Sequence, residues 1–176
     1  MKTCCALLLL SLAAWPAGAE CDSGTAVLVR HAEKQLTGDP EKDRDAPLSP
    51  AGRERAEALA ALLGDAGIDG VITSPFSRTR DTGQPLATRL GLALTVVSVA
   101  EKDASAKLVA QLEADYCGRE VVVVGHSNSV PELLRLLGVA ENKTIADHQY
   151  DQLFVVHWRR GAAAQLLQLH YGQPTP

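Results

Sequence analysis

The chain has 176 residues, of which 46% are hydrophobic and 22% charged, a length and balance that favour one globular domain with a real core over a disordered or fibrous chain. With 17 basic against 21 acidic residues the formal net charge is −4. No global field therefore draws the chain to nucleic acid or to an anionic membrane, and any affinity for phosphate has to be local.

The first segment reads as an address. Lys2 supplies a short positive region, residues 6–14 are apolar but too short to span a bilayer, and Ala17-Gly18-Ala19 has the small-residue pattern of a cleavage site. A secretory signal over 1–19 follows, with a mature chain that is secreted or periplasmic and has no membrane anchor. A lipoprotein reading is weaker, because Glu20 precedes Cys21 where a small residue is wanted. Cleavage removes Lys2, Cys4 and Cys5 and leaves Cys21 and Cys117 in an oxidising compartment, where pairing is favoured.

Residues 25–30 read as a buried strand, ended by His31-Ala32-Glu33-Lys34. A polar, acidic, Pro-containing loop is expected over 35–47. Ser49 then caps a helix that has Pro50 at its first position and an apolar stripe of Ala56, Leu59, Ala60, Leu62 and Leu63, ending near Gly64. Residues 70–73 form a short second strand. Ser77 is placed to cap the next helix, whose middle Gly83 and Pro85 weaken or bend. A third strand lies within 92–99, an amphipathic helix over 104–116, and a fourth strand over 121–124. The helix after it begins near Asn128, with Pro131 in its first turn. Residues 153–158 and 165–171 flank Arg159-Arg160-Gly161 as a closing hairpin. Strands alternating with helices predict an α/β fold: a three-layer sandwich with a mostly parallel central sheet and helices on both faces. One domain over 20–172 and a disordered tail over 173–176 complete the expected organisation.

Two of these strands deliver a histidine at their C-terminal end, the edge of a parallel sheet where ligands bind. Cys21 lies ten residues before His31, and Cys117 nine before His126. If the two strands are parallel neighbours with both histidines at one edge, the cysteines meet at the other. A Cys21–Cys117 disulfide is therefore expected ahead of two free thiols, stabilising by about 2–4 kcal/mol through the long loop it closes.

A phosphoryl group needs donors around its equatorial oxygens and a nucleophile in line with the leaving oxygen. The planar fork of arginine suits the first role, and a neutral imidazole with a free lone pair the second. Arg30 and His31, adjacent at a strand end, can reach different sides of one group; alone, they fit a surface salt-bridge pair better. Residues 73–82 follow another strand into a helix start, where backbone N–H groups favour an anion and Arg78 can point at it, while Arg80 is an exposed charge or a partner of Asp81. Gly125-His126-Ser127-Asn128 repeats the pattern of strand end, close-approach glycine, histidine and helix start. A metal held by His31, Glu33 and His126 is disfavoured, since Arg30 and Arg78 repel cations and no close-spaced second ligand pair exists. His157 and His170 fit structural roles in the hairpin, whereas His148 lies in a loop that can reach a site rim.

In this order, Arg30-His31-Ala32-Glu33-Lys34, Leu48-Ser49-Pro50-Ala51-Gly52-Arg53, Ser74-Pro75-Phe76-Ser77-Arg78-Thr79 and Gly125-His126-Ser127-Asn128 resemble the histidine phosphatase superfamily, whose fold is that of cofactor-dependent phosphoglycerate mutase. The resemblance covers about 27–156 and is nearest to the short, minimal branch. It implies His31 as the nucleophile that becomes phosphohistidine, with Arg30, Arg78 and His126 on the phosphoryl oxygens and no metal or other cofactor. It also implies a general acid after the third strand or beside the second histidine. The second place holds none here, so Glu101 ranks first, with Asp103, Glu33 or no acid as alternatives. The function implied is an exported phosphomonoesterase for a small phosphorylated substrate, with sugar phosphates, including those of lipopolysaccharide cores, among the candidates. A mutase is disfavoured by the short chain and by export. A phosphorelay phosphatase would be in the wrong compartment. The alternative from another class is a non-catalytic phosphate-binding or interaction module. The loops over 35–47 and 139–150 are expected to shape specificity; neither the natural substrate nor the oligomeric state is legible.

Overall fold

The computed structural model describes residues 21–175; the signal expected over 1–19 lies outside them. Its centre is a six-stranded sheet. Chain order gives β1 (Ser23–Arg30), α1 (Pro40–Asp43), α2 (Pro50–Leu63), β2 (Gly70–Thr73), α3 (Ser77–Leu90), β3 (Leu94–Val96), α4 (Ala104–Asp115), β4 (Glu120–Gly125), α5 (Ser129–Leu136), β5 (Gln152–Arg159) and β6 (Gln165–His170). The sheet order is β3-β2-β4-β1-β5-β6. The first four are parallel, and the β5–β6 hairpin closes the sheet with β5 antiparallel to β1.

Both faces of β1, β2 and β4 are buried, whereas β3 at the edge is partly exposed, and alternation sends successive residues to opposite layers. Ala26, Leu28, Val121 and Val123 pack with α4 and α5 through Leu108, Leu112, Leu133 and Leu134, joined by Phe154 and Trp158. Val27, Val29, Val122 and Val124 face Leu59, Leu63, Leu86 and Ala87 of α2 and α3. This is the expected three-layer sandwich. Leu62 departs from the expected stripe of α2: it is exposed, at the flank of the buried face, about 60° round the helix from Leu59 and about 100° from Leu63.

The β1–β4 register runs from Thr25 opposite Glu120 to Arg30 opposite Gly125. One step beyond, the His31 amide donates to the Gly125 carbonyl at 2.9 Å. At the other end the same pairing brings Cys21 and Cys117 together in a disulfide with a Cα–Cα distance of 5.8 Å.

Four local expectations are corrected. The 35–47 loop contains a helical turn, α1, capped by the Asp39 carboxylate. Ser77 is the first residue of α3 rather than its cap. The cap position is Phe76, and the Asp45 carboxylate accepts from the Ser77 amide at 2.7 Å and from its hydroxyl at 3.0 Å. Helix α3 runs unbroken through Pro85, while Gly83 lets it lie close on β2: a Cβ there would stand 3.1 Å from Thr73 and Val71. Finally, Gln173 and Thr175 are hydrogen-bonded to Arg55 and Asp151 rather than forming a free tail.

Candidate active site

The C-terminal ends of β1, β2 and β4 open into a cavity of about 550 Å³, lined at one end by Arg30, His31, Lys34, Arg78 and His126. Sequence reasoning placed all of these together except Lys34, which lay in view within the Arg-His-Ala-Glu-Lys run.

His31 is 4% exposed. Its Nδ1 lies 2.8 Å from the Ala32 carbonyl, an acceptor only, so Nδ1 carries the proton and Nε2 keeps its lone pair. Burial lowers its pKa to about 3, reinforced by His126, Arg30 and Arg78 against the Ala32 hydrogen bond. The ring is therefore neutral across the physiological range. The His126 ring stands edge-on at 5.4 Å between centroids. Its Nε2 meets the Ser74 hydroxyl at 3.0 Å, and Ser74 is held in turn by Thr79 at 2.8 Å. Burial, then Arg78, Arg30 and Lys34, lowers His126 to about 4. Gly125 is required because a Cβ would sit 2.9 Å from the Ser129 hydroxyl that accepts from the His126 amide.

The two arginines are held in the same way. Arg30 gives Nη1 to the carbonyls of Ala146, Asp147 and Gln149 at 2.8, 2.9 and 3.0 Å, and its guanidinium lies 4.2 Å over the Tyr150 ring. Arg78 gives Nη1 to the Arg44 carbonyl at 3.1 Å and lies 4.2 Å over Phe76. Each is thus fixed by loop carbonyls and an aromatic face, and neither has a carboxylate partner. Four positive or proton-donating groups around one neutral imidazole form a receptor for an oxyanion.

The start of α3 is not the anion site anticipated from the sequence, because Asp45 already occupies its leading amide. Arg78 contributes its side chain alone. The start of α5 fares differently: Ser127, Asn128 and Ser129 line the cavity, and no side chain caps that helix.

The candidate acids separate. Glu33 turns away from the cavity and makes a bidentate ion pair with Arg55 of α2 at 2.7–3.0 Å, rather than orienting Lys34 or Arg30. That placement also separates it from His31 and His126 as a would-be metal ligand, and among the described residues no group of three metal-binding side chains converges. Gly52 makes the α2 contact possible, since a Cβ would lie 2.2 Å from the Glu33 carbonyl. Glu101 does line the cavity, but its half-exposed carboxylate is ion-paired with Lys107, as is Asp103 at 3.5 Å. A carboxylate that sequence reasoning missed, Glu132, also lines the cavity and accepts from Ser105 at 2.7 Å. His157 contacts Thr25, His170 pairs with Asp151, and His148 is exposed outside the cavity wall. Arg80 is an exposed charge bonded weakly to Ser77, not to Asp81. No helix among the described residues is long and apolar enough to cross a membrane.

A family model described as histidine phosphatase superfamily (branch 1) matches residues 26–101. Among solved structures, the protein histidine phosphatase SixA in complex with tungstate matches with a TM-score of 0.65 at 20% identity, over 83% of this chain and 96% of that one. A mycobacterial glucosyl-3-phosphoglycerate phosphatase gives 0.64 at 18% identity, over 85% and 100%. A SixA-type chain from Nakamurella multipartitia gives 0.59 at 25% identity, over 90% and 99%. No curated protein sequence matches the chain.

Proposed function

We propose that the chain is a member of the histidine phosphatase superfamily, whose branch 1 model matches residues 26–101, and that it is an exported phosphomonoesterase working through a phosphohistidine on His31. The observation that carries this reading is the His31 ring: neutral, with Nδ1 committed to Ala32 and Nε2 free, among Arg30, Arg78 and His126.

In the first step Nε2 attacks phosphorus, the N–P bond forms and the bond to the leaving oxygen breaks. Arg30, Arg78 and His126 take the charge on the equatorial oxygens, which is strongest in the transition state. The leaving oxygen takes a proton. Glu101 is the best-placed sequence candidate to give it, once its contact with Lys107 breaks. In the second step water attacks phosphorus, its proton passes to the carboxylate left behind, and the N–P bond breaks to release phosphate and restore the imidazole.

The far end of the cavity supports a hydroxylated leaving group. Ser98, Ser105, Asn128 and Glu132 offer donors and acceptors beside Val97 and Leu108, and the volume suits a small ligand. A sugar phosphate fits that lining, and one structural neighbour is named for a glucosyl phosphoglycerate. Export is supported by the pattern over 1–19 and by the Cys21–Cys117 disulfide, which persists in oxidising compartments. A phosphate-binding module without turnover is favoured by one observation, the engagement of Glu101 by Lys107.

The test is hydrolysis of an aryl phosphate, with H31A beside the parent and chelator present. The expected result is activity that survives chelator and disappears in H31A, with acid-labile phosphate trapped on the parent protein alone. Full activity in H31A rejects the phosphohistidine mechanism. Vanadate binding without turnover of any phosphomonoester favours the binding module.

A further inference from the structure

Nothing on β1 fixes the direction of Arg30. Its Nε is buried without a partner, and the contacts that aim the guanidinium all come from residues 146–150. That loop has little regular structure. Within it, the Gln149 amide reaches the Ala146 carbonyl and the Gln149 side chain accepts from the Ala146 amide at 2.9 Å. Besides Arg30, the Tyr150 ring faces His31 at 6.1 Å between centroids and the adjoining Ile145 is buried in the core; the loop's outward hydrogen bond is to the segment after β6. The Thr175 hydroxyl accepts from the Tyr150 amide over a long 3.4 Å and donates to the Asp151 carboxylate, which also faces His170 at 3.0 Å.

The same segment is anchored a second time. Arg55 donates Nη1 to the Tyr171 carbonyl and Nη2 to the Gln173 carbonyl, both at 2.8 Å, while its Nε and Nη2 hold Glu33, two residues past His31. Residues 172–174 are exposed, so directed polar bonds rather than apolar burial hold this stretch in place.

We infer that Thr175 and Asp151 are positioning residues for Arg30: the segment after β6 locks the 146–151 loop, and the loop holds the guanidinium on the phosphate side of the cavity through its carbonyls and the Tyr150 ring. The inference rests on the phosphatase reading only in taking Arg30 as an oxyanion ligand. By analogy with groups that orient metal ligands, whose loss costs about 10–100-fold in affinity or activity, a small misplacement of a binding group is felt at the reacting atoms.

The experiment uses T175V, which keeps the shape and loses the hydroxyl, T175S, which keeps the hydroxyl, and D151N, which tests the other partner of the same bond. Orthovanadate affinity is measured calorimetrically, and amide hydrogen exchange is followed over 146–150. T175V is expected to weaken vanadate binding about tenfold, with T175S restoring it. In an R30A background T175V should add almost nothing to the loss of vanadate affinity, since the lock acts through the Arg30 guanidinium. Exchange over 146–150 should quicken in T175V and D151N but not in T175S. An unchanged vanadate affinity with a lowered melting temperature would show a merely structural role and overturn the inference, as would equal losses with and without the Arg30 side chain. If the parent binds no vanadate, the phosphatase reading fails instead. The exchange arm then decides the lock by itself, and unchanged exchange over 146–150 in T175V rejects it.

Discussion

The phosphate end of the cavity and its leaving-group end are built from different material. At the first, His31 and Arg30 leave β1, His126 leaves β4 and Arg78 stands in the first turn of α3. Each is buried or half-buried, and each is held by a carbonyl, a hydroxyl or an aromatic face. At the second, Glu101 sits on the loop between β3 and α4 with its side chain 55% exposed, sharing Lys107 with Asp103, which lies outside the cavity wall and is 62% exposed. Charges act strongly where water is excluded and weakly where it is not. The fixed end can therefore stabilise charge that develops in every phosphoryl transfer, while the loop end can change with the leaving group at little cost to the fold.

Removing His31 should break that contrast most completely. H31A is expected to lower kcat on an aryl phosphate by about 10⁴-fold or more, the scale seen when a covalent nucleophile is lost, and a steady-state assay reads it directly. R78A comes next: by analogy with a lost oxyanion donor it should cost about 10²–10³-fold in kcat/KM, with vanadate affinity weakened in parallel. A loss confined to KM would mean that Arg78 binds the ground state alone.

Acidification sharpens the contrast through the histidines. The folded values of about 3 for His31 and about 4 for His126 lie below the ordinary 6.5. The unfolded chain thus binds protons that the folded one refuses, so their contribution to stability is full above about pH 6.5 and is lost as pH falls through 6.5 towards 3–4. Melting temperatures should decline over that window. Added vanadate should oppose the decline, since an anion in the site favours protonated His126. Because His31 stays neutral, kcat/KM should show no His31 limb near pH 6.5; a limb there would contradict the buried, neutral nucleophile.

At the opposite end of the same two strands, replacing Cys21 and Cys117 with serine should destabilise by about 2–4 kcal/mol in a denaturant titration while the folded enzyme keeps its kcat. The smallest effect is expected at the exposed end. E101Q should change aryl phosphate turnover by less than about threefold, because an activated leaving group needs little acid help, and should hurt a sugar phosphate more. Equal, large losses on both substrates would show that Glu101 does more than protonate.

How much of this was legible in the chain depends on how far apart the partners lie. His31 and His126 could be paired from the sequence because each follows an apolar run, and parallel register does the rest. The similar offsets of Cys21 and Cys117, ten and nine residues before the two histidines, pointed to the disulfide by the same logic. Ser49 and Pro50 announce α2 locally. In contrast, Asp45 caps α3 from 32 positions away, and the Arg55 bonds to Tyr171 and Gln173 span 116 and 118. No periodicity or spacing announces such bonds. The reading of 173–176 as free failed at Gln173 and Thr175 for this reason, and Glu33 was assigned the wrong cations because Arg55 lies on another element.

By itself the sequence determined the layers, the strand-end histidines and the arginines beside them, since apolar alternation and strand length dictate those without knowledge of neighbours. Only the tertiary structure decided which way each charge points. A buried guanidinium or carboxylate must find partners wherever the fold supplies them, and Arg30 finds its own on a loop that a segment beyond β6 holds in place.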